Sequence, residues 1–275
     1  MTPCRQCDLP VQENEEFCPN RHWHGYPNVK MAYRERPMLL SRVSALATSM
    51  PEPDREQLQC AVQALVPETA AVVCVDVDFA VSLLNSDRMI YATYANQICA
   101  GVRRRALSED DCARTAIEGQ LFGGLAPVVY AALAAPGQGL RSYGALALRL
   151  KEVAIADRAS LLEENSYTFV RKHAGKKLPH GFRATWPDRD ALIFAKVSCD
   201  FSGVRDLEDT RARLLKCFGS RDSDLFIEVH IWGGFGIFAV QSIEVLAPPR
   251  DEDERDLYRI AEARAGRKGI EWKVL

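Results

Sequence analysis

The sequence predicts an α+β protein: an α+β domain preceded by a helical stretch and a small metal-binding module. Three observations lead there. Strand-like runs such as "AAVVCVDV", "ALALRLKEV" and "DLFIEVHIW" are spread over residues 70–232 without a regular β-α-β alternation. Helical periodicity with start and stop signals falls between them. Three cysteines and two histidines crowd into residues 4–24, while the other six cysteines are scattered singly. That scatter is the pattern of reduced thiols used as small core hydrophobes, not of a disulfide framework.

The module is expected over residues 1–28. In "CRQCDLPVQENEEFCPNRHWHGY" the Cys4-x2-Cys7 turn supplies two thiolates from one tight knuckle. A tetrahedral zinc, with ligand bonds of about 2.0–2.3 Å, needs two more N or S donors. Cys18-x3-His22 provides them, with His24, beyond Trp23, as the alternative to His22. Four protein ligands (Cys4, Cys7, Cys18 and His22) leave no position for a reactive water, so the expected zinc is structural and the module has a docking role.

A helical region is expected over 29–67. Pro51 and Pro53 break it, Asp54 can cap the second helix, and Leu58, Val62 and Leu65 can share that helix's buried face. The domain proper then spans 68–275. A strand is expected through about Val77, and a helix in "SEDDCARTAIEGQLFGG", capped by Ser108 and stopped at Gly123-Gly124. "ALALRLKEV" alternates, "ALIFAKVS" reads as a strand, and "RDLEDTRARLLKCFG" reads as a helix ending at Gly219. Strands in "DLFIEVHIWGG" and "FAVQSIEVLAP" follow, before a charged C-terminal helix with acids early and bases late, as the helix dipole favours.

Charge narrows the function classes. A net charge of −2 and a pI near 6.2 give no global attraction to phosphate backbones, and the dense basic stretches are confined to residues 103–105 and 171–177. No apolar run approaches the roughly 18–20 residues of a membrane helix, and the N-terminus lacks a signal-peptide core, so a cytoplasmic protein is expected.

The run "DLFIEVHIWGG" carries the chemistry. If residues 225–232 are extended, Leu225, Ile227, Val229 and Ile231 share one face, while Phe226, Glu228, His230 and Trp232 share the other. A carboxylate beside an imidazole in an apolar cleft can act as acid, base or anchor for a cationic transition state. On an open wet face the same pair would be satisfied by a cross-strand Lys or Arg.

Five blocks in order, "TYANQICAG" (93–101), "RTAIEGQLFGG" (114–124), "RSYGALALRL" (141–150), "EENSYTF" (163–169) and "LFIEVHIWG" (225–233), resemble an uncharacterised bacterial ADP-ribosyltransferase-like family. The resemblance covers about residues 70–246 and implies a split β-sheet core, NAD as substrate and Glu228 as the catalytic carboxylate, with His230 orienting that carboxylate or the acceptor group. It implies Arg88 or Arg114 on the pyrophosphate, Tyr143 and Tyr167 against nicotinamide, and Ser166 on a ribose. His230 stands where that family has glutamine, and Trp232 where it has histidine. Glu118, four residues after Arg114, is read as its helical ion-pair partner.

The leading expectation is therefore an NAD-dependent ADP-ribosyltransferase-like enzyme with a zinc module that docks an acceptor, a protein rather than a nucleic acid. The alternative is a non-catalytic interaction scaffold with a degenerate site. A cysteine hydrolase pairing a lone cysteine with His230 or His180 ranks last, because no cysteine lies in a glycine-rich nucleophile turn or at a helix start.

Overall fold

The computed structural model describes residues 2–4, 6–12, 14–93, 96–97, 100–101, 108–124, 127–198, 206–220 and 223–274. Tyr94, Ala95, Ile98, Cys99, the arginines at 103–105 and Cys199 lie outside them, as do the side chains of Ser108 and Cys112.

In chain order the elements begin with β1 (Thr2–Pro3) and β2 (Pro10–Val11), an antiparallel pair flanking the first cysteine turn. Helices α1 (Pro27–Ser49) and α2 (Glu52–Leu65) follow. Pro51, not Asp54, holds the α2 N-cap, and Pro53 occupies the first turn, where a missing N–H costs nothing. Strand β3 (Ala70–Val75) leads through Asp76 into α3 (Val77–Asn85), then β4 (Ile90–Tyr91) and α4 (Ser108–Phe122). Next come β5 (Val128–Ala134), β6 (Leu146–Leu150), α5 (Glu152–Ile155), β7 (Ala159–Leu162), α6 (Ser166–Lys172) and β8 (Arg183–Thr185). The chain continues through α7 (Arg189–Ser198), α8 (Leu207–Leu214), β9 (Glu228–Trp232), β10 (Phe235–Gly236), β11 (Val240–Val245), α9 (Glu252–Arg267) and β12 (Glu271–Val274).

Eight strands form one mixed sheet in the order β12-β11-β6-β3-β5-β9-β7-β8, antiparallel throughout except for the parallel pair β11 and β12. The sheet has a seam between β3 and β5. Among the described residues β3 and β5 pair only at Ala70–Ala134, Ala71–Leu133 and Val72–Ala132. Beyond Val72, β3 stays with β6 as far as Val75, while β5 stays with β9 as far as Val128. The two four-stranded halves are thus joined at one end and part at the other.

Alternation assigns the faces. Val73, Val75, Ala131, Leu148, Val229 and Ile231 belong to the main core, against Leu39 of α1, Leu58, Val62 and Leu65 of α2, Leu83 of α3, Leu192 and Phe194 of α7 and Ala261 of α9. Burying each such Leu, Ile or Val contributes about 1.5–3 kcal/mol, so α1 and α2 share a core with the sheet. The opposite face carries Val128, Leu162 and Trp232, packed on Ile117 and Leu121 of α4 and Phe169 of α6.

Three sequence expectations are corrected. "ALIFAKVS" is helix α7, not a strand. It is enclosed by α1, α2, α8 and β8, so every side is buried and its apolar run lacks the polar stripe that marks a surface helix. Helix α8 stops at Leu214 rather than Gly219, because Lys216 and Leu225 exchange backbone hydrogen bonds of 2.8 and 2.9 Å. That bridge takes Leu225 out of the core, and it is 44% exposed. Strands β5, β7, β8 and β12 had no counterpart among the expected elements; β5 is an Ala-rich run between Pro127 and Pro136, a weak signal for a strand.

Candidate functional site

The seam between the sheet halves opens into a cavity of about 750 Å³. Its walls are residues 72–76 of β3 and its end, residues 128–132 of β5, and Phe226 and Glu228 leading into β9. Arg114 of α4, Leu140 and Tyr143 of the loop before β6, and the Met89–Ala92 segment complete the lining together with Phe79 and Ser82 of α3, Gln97 and Ala100. Gly144 lets the Tyr143 loop press against β3: a Cβ there would come within 2.2 Å of the Val75 carbonyl carbon.

Glu228 is buried, and its Oε2 accepts two hydrogen bonds, from the Ser166 N–H at 2.9 Å and from His230 Nε2 at 3.0 Å. His230 is itself buried between two rings that meet it edge-on, Phe122 at 5.1 Å and Tyr130 at 5.4 Å. The sheet sets this arrangement, since Tyr130 is directly opposite His230 and Ala132 opposite Glu228 on β5, while Ser160 and Leu162 take those places on β7. The Tyr130 hydroxyl donates to Glu118 at 3.0 Å, and the Arg114 guanidinium lies 5.1 Å from its ring centroid. Burial, with the Glu118 and Glu228 charges adding to it, holds the Tyr130 phenol well above its usual pKa. Tyr130 therefore stays protonated and acts as a donor, not a base.

The sequence-expected residues fall into two groups. Glu228, Arg114 and Tyr143 share the cavity wall, and His230 supports Glu228 from behind. Ser166 contributes its backbone N–H to Glu228. Tyr167 and Arg88 are not cavity residues: Tyr167 lies under Arg171 at 5.1 Å, and Arg88 is exposed in the turn after α3. Glu118 is engaged by Tyr130, a partner that helix spacing does not reveal. His180 approaches Glu35 at 3.6 Å and is not part of the cavity lining. Among the described cysteines Cys74 lines the cavity; burial pushes its thiol up to about 12, so it is no nucleophile at neutral pH. Sequence reasoning missed Tyr130, Asp76, Phe79 and Tyr91, although the alternation Val72, Cys74, Asp76 could have placed the aspartate on the Glu228 face.

At the N-terminus, Cys4, Cys7, Cys18 and His22 bring one donor atom each within 4.8 Å of all the others, and this cluster could hold a metal ion. Cys7 Sγ and Cys18 Sγ are 3.7 Å apart, and Cys4 Sγ and His22 Nδ1 are 3.5 Å apart. Backbone N–H groups of Gln6 and His22 point at Cys4 and Cys18 sulfurs at 3.4 and 3.3 Å. Burial alone would raise the Cys4 thiol, but the Gln6 N–H, the His22 and His24 rings and the Cys7 thiol bring it to about 5. The module touches the cavity's supporting strand directly. Trp232 Nε1 donates to Glu16 at 2.8 Å, and Asn28 Nδ2 lies 2.8 Å from the His230 carbonyl and 3.2 Å from Ser160 Oγ.

No protein-family model matches the chain, and no curated protein matches it either.

Proposed function

We propose that the protein is an NAD-dependent ADP-ribosyltransferase-like enzyme, with the dinucleotide in the seam cavity and Glu228 as its catalytic carboxylate. The observation that carries this reading is the division of labour within Glu228. Both hydrogen bonds go to Oε2, so Oε1 is left to the cavity, in a low-dielectric wall where a negative charge acts strongly on a nearby cation. In the proposed reaction the bond between ribose C1′ and the nicotinamide nitrogen breaks, and nicotinamide leaves with the electron pair. Glu228 stabilises the oxocarbenium-like sugar that remains. An acceptor nucleophile then bonds to C1′ and its proton passes to the carboxylate. Arg114 suits the pyrophosphate because a guanidinium fork matches phosphate oxygens, and Tyr143 adds an aromatic ring to the cavity wall.

The Cys4, Cys7, Cys18, His22 cluster reads as a structural zinc centre. Tetrahedral bonds of about 2.3 Å to sulfur and about 2.0 Å to nitrogen imply S–S and S–N edges of roughly 3.8 and 3.5 Å, against the 3.7 and 3.5 Å here. Its contact with Trp232 and the Asn28 contact with His230 brace β9 from outside, and a protein acceptor docked through the module is the expected partner.

Purified protein incubated with millimolar NAD decides the reading. The expected result is a raised melting temperature and release of nicotinamide, with the release reduced at least about 100-fold in Glu228→Gln, as loss of an electrostatic stabiliser in a buried site does. No thermal protection by NAD, together with no nicotinamide release, refutes it and leaves the non-catalytic scaffold.

A further inference from the structure

The sheet register gives the cavity a length and a charge order. Val72 pairs with Ala132 and Ala132 with Glu228, so Val72 and Glu228 are two ladder steps apart. Asp76 is four residues further along, on the face Val72 and Cys74 present to the cavity, and it too lines the wall. With about 4.8 Å between strands and about 3.3 Å per residue, Asp76 and Glu228 are on the order of 16 Å apart along the wall. Tyr130 lies between them, two residues from Ala132 on the Asp76 side, and it carries Arg114 above its ring. Along its length the wall therefore reads carboxylate, guanidinium, carboxylate.

That order matches a dinucleotide laid from end to end, with one ribose at each carboxylate and the pyrophosphate at Arg114. At the far end Phe79 and Tyr91 meet edge-on at 5.1 Å, and Tyr91 stacks on Phe235 at 4.9 Å with their planes 4° apart. Phe79 is one helical turn beyond Asp76 and Tyr91 faces it, so an apolar base platform adjoins the carboxylate. Asp76 is also spared its ordinary task. It is the N-cap residue of α3, where an aspartate normally accepts a backbone N–H, yet its side chain makes no capping bond. An ionised carboxylate accepts and never donates, so it suits two hydroxyls on adjacent carbons and repels a phosphate. Arg250, a cation whose charge Asp76 reaches, is tied to Glu254 by Nε and Nη2.

Resting on the dinucleotide reading above, we propose that Asp76 binds the diol of the adenosine ribose and makes this site select NAD over its 2′-phosphorylated form, NADP. A phosphate at the 2′ position would both remove one hydroxyl donor and set a dianion against the carboxylate.

The test follows melting temperature against NAD and NADP concentration for the wild type, Asp76→Asn and Asp76→Ser. Because Asp76 is exposed and makes no cap bond, the ligand-free variants are expected to melt within a few degrees of the wild type, and the serine variant supplies a good N-cap in case the asparagine variant does not. The wild type is expected to bind NAD at least about tenfold more tightly than NADP, the worth of one charge-assisted hydrogen bond. Both variants should bring that ratio to within about threefold of unity. A wild type that binds NAD with an unchanged ratio in both variants, or that binds both dinucleotides equally, overturns the Asp76 assignment alone. A wild type that binds neither overturns it together with the transferase reading.

Discussion

The bond from His230 to Glu228 is the part of the site whose energetic worth follows most directly from geometry. Replacing His230 by alanine removes two edge-on ring contacts, with Phe122 and Tyr130, worth about 0.5–1.5 kcal/mol each beyond area burial. It also removes the 3.0 Å bond to a buried carboxylate, where a hydrogen bond to a charged group contributes about 1.5–3 kcal/mol. The sum predicts a loss of about 2.5–6 kcal/mol for His230→Ala. His230→Gln keeps a donor at comparable reach and sacrifices the rings, so it should cost about 1–3 kcal/mol. Urea unfolding followed by circular dichroism, at constant m-value, measures both. A double-mutant cycle with Glu228→Gln isolates the pair, and the expected coupling is about 1.5–3 kcal/mol. A coupling below about 0.5 kcal/mol, or a glutamine variant as damaged as the alanine one, would refute the argument that His230 is there to hold the carboxylate.

Chelation should strip one zinc per chain, as counted by atomic absorption, and should lower the melting temperature, with Cys7→Ser reproducing the loss; a metal-free protein of unchanged melting temperature would contradict the structural role. Glu16→Ala should cost about 1 kcal/mol by removing the acceptor of the Trp232 N–H, and tryptophan emission should shift to the red. Gly144→Ala, whose methyl would meet the Val75 carbonyl carbon at 2.2 Å, should destabilise by about 3 kcal/mol, as overpacking against rigid backbone does; a wild-type urea midpoint would show that the Tyr143 loop can retreat. Arg149→Met should cost about 3–5 kcal/mol, because it strands the fully buried Glu244, now 3.5 Å from the guanidinium, without its cation. Equilibrium unfolding of that variant provides the check.

Much of the site strand was legible because period-two alternation is a local property. Once residues 226–232 are extended, Phe226 and Glu228 must share a face, and both line the cavity. The metal cluster was legible for a similar reason: Cys-x2-Cys and Cys-x3-His close over a few residues, so spacing nearly dictates geometry, although only the folded chain places His22 among the four donors. Helix α7 was not legible, since a run buried on all sides looks the same whether it is coiled or extended. Nor were the partners of the site. Glu118 meets Tyr130 twelve residues away, Glu228 meets the Ser166 N–H across 62 residues, and Trp232 meets Glu16 across 216.

The sequence by itself determined which residues of the site strand alternate and which thiols cluster, because those follow from backbone periodicity and short closures. Only the tertiary structure decided that β3 and β5 part company after Val72 and Ala132, and therefore that a hollow exists beside Glu228 at all. That outcome depends on which strands win each other's hydrogen bonds, a competition among segments far apart in the chain, and no local pattern records its result.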